Sequence, residues 1–183
     1  MSAEEHVDPR TRRTRAALAR AMAETVLTAP LAEVSVAGLC RTAGVHRTTF
    51  YKHFRSVTEL ADAVLGELFE EIDALGPASD RRVWFEELLE HAAARRRTYA
   101  ALIGPDGDPA LSRAVAERLV AAAGRVLAPA GHDGAAGAAT TAARVSGFAA
   151  YGAVEAVLLG AEPAAAGRAC EPSLTWGEVL PDR

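Results

Sequence analysis

The stretch Ser35-Val36-Ala37-Gly38-Leu39-Cys40-Arg41-Thr42-Ala43-Gly44-Val45-His46-Arg47-Thr48-Thr49-Phe50-Tyr51-Lys52-His53-Phe54 decides how the rest of the chain is read. Ser35 is a good N-cap, and a short helix is expected to follow over 36–43. Gly44 is placed to take the left-handed conformation that stops it, because a residue without Cβ enters that region at little cost. A second short helix is expected over 46–52, with Phe50 and Tyr51 as its large apolar residues. Leu39, Val45, Phe50, Phe54 and Leu60 can form a small core that fixes the two helices across the Gly turn. The result is a helix-turn-helix. Its second helix presents Arg47, Thr48, Thr49, Tyr51, Lys52 and His53, all donors or small hydroxyls. Positions 34–58 carry no carboxylate side chain, although a solvated helix usually includes some to complement its neighbours and its dipole. Such a face suits a major groove and the phosphates beside it.

Outward from this motif the pattern stays helical. Asp8 and Pro9 form an N-cap followed by Pro at the first helical position. The helix they open runs to about Leu27, with Leu18, Ala21, Met22 and Val26 at helical spacing. Downstream, Ser56-Val57-Thr58-Glu59 is a capping box. It opens one long helix through Leu60, Val64, Leu65, Leu68, Phe69 and Ile72 to about Leu75. Further helices are expected over 81–97, with a short continuation over 99–103, then over 111–128 and 138–161, and a last short one over 174–180. Turn-rich or Gly/Ala-rich loops fill 104–109 and 129–137. The sequence shows neither a strand pattern nor an internal repeat, so the fold class is all-α.

Half of the residues are hydrophobic and 24% charged, as in a folded globular protein. The net charge of −4 points to no nucleic acid, but its distribution does. Between Arg10 and Arg55 stand nine basic residues (Arg10, Arg12, Arg13, Arg15, Arg20, Arg41, Arg47, Lys52, Arg55) against Glu24 and Glu33. From Ala61 onward eleven Arg face eighteen Asp or Glu. A basic front on an acidic body is the footprint of a protein that meets phosphates at one end. Cys40 and Cys170 are too far apart in sequence for a metal-ligand pair or a redox dithiol. The five His show no ligand spacing, so no metal and no cofactor is expected. The N-terminus is too polar for a secretory signal, and the apolar stretch 145–161 is shorter than the roughly 20 residues that span a bilayer. A soluble, cytoplasmic protein is the simplest setting.

The run "SVAGLCRTAGVHRTTFYKHFRSVTEL" resembles the DNA-binding segment of the TetR family of transcriptional regulators. The likeness covers roughly residues 10–60, with AGV, then T-x-Y-x-x-F, then a capped helix ending in E-L. It implies a three-helix DNA-binding domain over 1–55 and a helical ligand-binding and dimerisation domain over 56–183. By resemblance, Arg47, Thr48 and Thr49 lie where base-reading residues sit. Tyr51 and His53, assisted by Lys52, lie where phosphates are contacted. Ser35 would aim the amides of its helix at a phosphate, and Arg12 and Arg13 would make nonspecific phosphate contacts. Three positions depart from the pattern. His46 replaces the usual capping Ser, Thr or Asn, Ala37 offers no side chain where some members read a base, and Val57 stands where a basic residue is frequent. The function implied is a homodimer on a palindromic operator in double-stranded DNA, most often a repressor, released by a small molecule.

Trp84, His91, Tyr99, Phe148 and Tyr151 are the polar-tipped or ring-bearing residues of the body that could line a ligand pocket; each also reads as ordinary core. The triplet Arg95-Arg96-Arg97 reads as a solvated helix end. The 138–161 helix is apolar nearly all round, with small residues at Ala149, Ala153, Val157 and Gly160, and Phe148, Gly152 and Leu159 on another side. A helix with two apolar faces is buried on both, which points to a partner subunit. Two other classes stay open. One is a helical interaction module that no longer reads DNA. The other is a small helical enzyme, for which the sequence offers no catalytic constellation.

Overall fold

A computed structural model describes residues 8–74, 80–127 and 136–174. The described residues are helical throughout, with no strand. In chain order the helices are α1 (Pro9–Thr25), α2 (Val36–Ala43), α3 (Arg47–His53), α4 (Val57–Val64), α5 (Gly66–Asp73), α6 (Arg81–Ala94), α7 (Arg96–Ile103), α8 (Pro109–Leu127), α9 (Ala136–Leu158) and α10 (Pro163–Leu174), with a 3-10 turn at Leu31–Glu33. The chain divides into two compact units, Met1–Leu65 and Gly66–Arg183.

In the first unit, α1 starts where Asp8 caps it: the Asp8 carboxylate accepts the Arg10 amide at 2.9 Å, with Pro9 next in line. Leu18, Ala21, Met22 and Val26 are buried, and α1 packs on α2, α3 and α4. The remaining core is Leu31, Leu39, Cys40, Phe50, Phe54, Leu60, Ala61 and Leu65. Val45 is only half-buried at the turn. At α4 the Ser56 hydroxyl accepts the Glu59 amide at 3.0 Å, and the Glu59 carboxylate accepts the Arg55 amide at 2.6 Å. The box is therefore made, with its return bond one residue before the cap.

The single helix expected from Ser56 to Leu75 is two. It breaks at Leu65, whose amide still reaches the Ala61 carbonyl. Gly66 opens α5, and glycine gives up more backbone freedom in a helix than any other residue. Leu75 lies outside the described residues.

In the second unit α9 is central and packs on α8, α10, α6 and α7. Helices α8 and α9 run antiparallel at close range: a Cβ on Gly147 would lie 2.5 Å from the Val120 Cα, and one on Gly124 would lie 3.8 Å from the Ala143 Cβ. Only glycine at 147 lets the two backbones meet this closely. The helix expected over 81–97 also breaks, at Arg95 (φ −116°, ψ 18°), and the 99–103 continuation belongs to α7. Arg95-Arg96-Arg97 straddles that break: Arg95 ends α6, Arg95 and Arg97 are exposed, and Arg96 is half-buried. Arg95 pairs with Glu67, and Arg96 reaches the Ala161 carbonyl at 3.4 Å. Helix α10 has no counterpart in the sequence reading; the helix expected over 174–180 falls, beyond Leu174, outside the described residues, as does 128–135. The small-residue stripe on α9 needs correction as an outer surface. Ala153 and Val157 are buried within the chain, whereas Val145, Phe148 and Leu159 are exposed and nothing lies within 4 Å of a Cβ on Gly152.

No described helix is long and apolar enough to cross a membrane.

Candidate nucleic-acid interface

The turn between α2 and α3 is built from caps at three of its four helix ends. Ser35 is extended, and its hydroxyl accepts the Gly38 amide at 3.1 Å. At the other end Gly44 takes φ 67° and ψ 32°, its amide bonds back to Arg41, and the Val45 amide reaches Cys40 at 3.0 Å. These bonds satisfy carbonyls the helix leaves open and turn the chain within two residues. Helix α3 begins from His46, whose backbone is extended and whose imidazole makes no capping bond. The carbonyl of His46 nevertheless accepts the Thr49 and Phe50 amides at 2.9 and 3.1 Å. Its C-terminal end closes on Phe54, whose amide bonds to Phe50 at 2.9 Å.

Burial sorts the side chains of α3. Phe50 is fully buried and Phe54 is 3% exposed, their rings 5.9 Å apart. Arg47, Thr48, Tyr51 and Lys52 are exposed, and Thr49 and His53 half-buried. The Tyr51 ring meets Phe50 edge-on at 5.4 Å, which steadies it while leaving it 53% exposed. Arg12 and Arg13 are exposed on the first turns of α1. Ala37 and Val57 are half-buried. Cys40 is buried beneath this surface; burial pushes its thiol up, offset in part by the charge of Arg47. A thiol of that kind is unreactive.

Charge separates this surface from the rest of the chain. Among the described residues, none of Arg10, Arg12, Arg13, Arg15, Arg20, Arg41, Arg47, Lys52 and Arg55 is ion-paired, whereas in the second unit Arg82, Arg95, Arg113, Arg118, Arg125 and Arg144 each meet a carboxylate. One cation the sequence reading did not single out is held in place. The Arg15 guanidinium lies over the Phe54 ring, 4.8 Å from its centroid. Its signal in the sequence was only membership of the Arg-rich run.

The five body residues divide into two groups. Trp84 donates its indole N–H to the Glu71 carbonyl at 2.8 Å. Tyr99 is fully buried, with its hydroxyl 3.0 Å from His91 Nε2. Burial pushes Tyr99 up to about 12 and His91 down. Phe148 and Tyr151 instead line an open depression of about 570 Å³ with Pro109, Ser112, Arg113 and Glu155, in which Trp84, His91 and Tyr99 have no part. No group of three or more His, Cys, Asp or Glu among the described residues could hold a metal ion.

No protein-family model and no curated protein matches the chain. Solved structures do. A dihydroxyacetone kinase operon activator, DhaS, superposes with a TM-score of 0.66 at 16% identity, over 92% of this chain and 98% of that one. NalD, the secondary repressor of the MexAB-OprM multidrug efflux pump in Pseudomonas aeruginosa, superposes with 0.64 at 19% identity, over 93% and 98%. A TetR transcriptional regulator from Rhodococcus sp. RHA1 gives 0.58 at 19% identity, over 96% and 100%. At such identities the likeness is one of fold. The fold of this chain is that of the TetR-type transcriptional regulators.

Proposed function

We propose that the chain is a homodimeric, sequence-specific DNA-binding regulator, a repressor released from a palindromic operator by a small molecule. The observation that carries this reading is the row of cations on α1–α3 without ion-pair partners among the described residues, set beside a second unit in which six arginines meet carboxylates. Unmatched cations on one surface are a standing electrostatic cost that a polyanion relieves. In this reading residues 1–55 read DNA, with Arg47, Thr48 and Thr49 on base edges. Tyr51, Lys52, His53, Arg12, Arg13 and the Ser35 end of α2 meet phosphates. Residues 56–183 take the ligand and the partner subunit. Helix α4 belongs to that second part by sequence and to the first unit by packing on α1.

The dimer would form along α9. Val145, Ala149, Gly152, Ala156 and Leu159 follow one another at spacings of four and three, a seam that winds with a partner helix. Val145 is 42% and Leu159 68% exposed, and Gly152 leaves room for close approach. A two-fold axis there would present two α3 helices to two half-sites.

The test is selection of duplexes from a random pool by the purified chain, followed by binding at two salt concentrations. An enriched inverted repeat, bound as a dimer and weakened steeply by salt, is the expected result. Failure to enrich any duplex overturns the reading. Unchanged binding by the Arg47→Ala, Tyr51→Ala double variant would overturn the assignment of α3 as the recognition helix.

A further inference from the structure

We infer that the open depression beside α9 binds a zwitterion, with its carboxylate on Arg113, its ammonium on Glu155 and an apolar chain between them. This rests on the reading that the second unit takes a small molecule, and it names the chemistry of that molecule.

The walls are fixed before any ligand arrives. Tyr151 donates its hydroxyl to the Ile103 carbonyl at 2.7 Å, and Ser112 lies within 3.1 Å of the Ile103 and Asp108 carbonyls. Asp108 caps α8 by accepting the Ala110 and Leu111 amides at 2.8 and 3.1 Å, while its own amide bonds to Leu102 at 2.8 Å. The hydroxyl donors that could have recognised a neutral polar ligand are already engaged. Pro105, Pro109, Ala116 and the Phe148 ring supply apolar surface. What remains for recognition is one carboxylate and one guanidinium.

Glu155 has no ion pair and no side-chain hydrogen bond with any described residue. Arg113 is engaged, but loosely. It meets Glu117 at 2.7 Å, with both side chains largely in solvent (62% and 40% exposed), where such a pair is weak. Glu117 also meets Arg144 at 3.7 Å. Two arginines therefore share one carboxylate, and Glu117 keeps a partner when Arg113 turns to a ligand. Arg113 lies against Phe148, 5.8 Å from its ring centroid. One excess positive charge and one excess negative charge thus line the same apolar depression. Not paired with each other, they are complemented together by a molecule charged at both ends. An ω-amino acid or a short peptide carries those two charges on an apolar chain.

The probes are 8-aminooctanoate, octanoate and octylamine, titrated calorimetrically into the full chain without DNA. The zwitterion is expected to bind at least about tenfold more tightly than either singly charged analogue. Glu155→Gln should lower its affinity to that of octanoate, and Arg113→Gln to that of octylamine, with melting curves confirming that both variants fold. Equal affinity of the three probes, indifference to Glu155→Gln, or no saturable binding would each overturn the inference. DNA release is measured separately. If the zwitterion binds with the expected preferences but leaves a bound duplex in place, the site stands and the regulatory reading fails.

Discussion

The Arg15 guanidinium sits 4.8 Å from the centroid of the Phe54 ring, joining the basic start of α1 to the C-terminal end of α3 across 39 positions of sequence (54 − 15). The ring is buried and continues through Phe50 to Tyr51, so a long flexible cation is tied to the core of the helix-turn-helix. Arg15→Ala should therefore lower stability by about 0.5–1 kcal/mol, the range for an exposed cation–π contact. Arg15→Lys should recover only part, because the planar group that stacks is lost. Urea denaturation reads both; an unchanged midpoint for the alanine variant would show that the ring does not hold the guanidinium.

His46 occupies an N-cap with extended backbone and offers no capping bond, while Ser35 and Ser56 make theirs. His46→Ser should raise stability by about 0.5–1 kcal/mol, and Ser56→Ala should lower it by about 1 kcal/mol. Thermal melts of the two variants are expected to move in opposite directions. A melt that falls for His46→Ser would mean that the imidazole has a packing role.

Gly147 and Gly124 both lie inside helices, yet alanine should act oppositely at the two. At 147 the new methyl would meet the Val120 backbone at 2.5 Å, which no rotamer change relieves. A loss of about 1–3 kcal/mol follows from overpacking. At 124 the nearest atom is the Ala143 Cβ at 3.8 Å, an ordinary contact, and the better helix former should add up to about 1 kcal/mol. Denaturant midpoints decide the matter, and a neutral Gly147→Ala would place α8 and α9 farther apart than described.

His91 gives the second unit a pH dependence of determined sign. Burial lowers its pKa, Arg95 lowers it further, and Glu71 and Glu67 act the other way. The unfolded chain therefore takes up this proton first as pH falls. The contribution of the neutral imidazole is complete above the unfolded value of about 6.5, and it is lost from there downward through the lower folded value. Stability should drop below about pH 6.5 in the native chain and less in His91→Gln, which cannot titrate. Parallel pH profiles for the two proteins would remove His91 as the cause.

The helix-turn-helix was legible because each of its features is local. Ser35, Gly44 and the Phe50–Phe54 spacing act over five residues or fewer, and the structure places all of them as read. The breaks at Leu65 and Arg95 were not legible. The first has only Gly66 as a sign, inside an otherwise continuous apolar pattern. The second has neither Gly nor Pro, and Arg95 is held by Glu67, 28 positions away. Helix α10 was obscured because Pro163 reads equally as the end of one helix and the first residue of the next, and Pro172 lies within the run. The candidate ligand residues could be named by type but not grouped, since their grouping depends on contacts such as Tyr151 with Ile103, 48 positions apart.

The contrast between cations without ion-pair partners among the described residues of one unit and the ion pairs of the other gives the chain two opposite responses to electrolyte. Ions that screen like charges relieve repulsion among the arginines of α1–α3, and the same ions weaken the attraction of Asp73 for Arg118 and Arg125 on α8. As potassium chloride rises, amide exchange should slow in the first unit and quicken at α5 and α8. Ionic strength would then shift where the molecule is firm without any ligand, and without changing a single contact in its core.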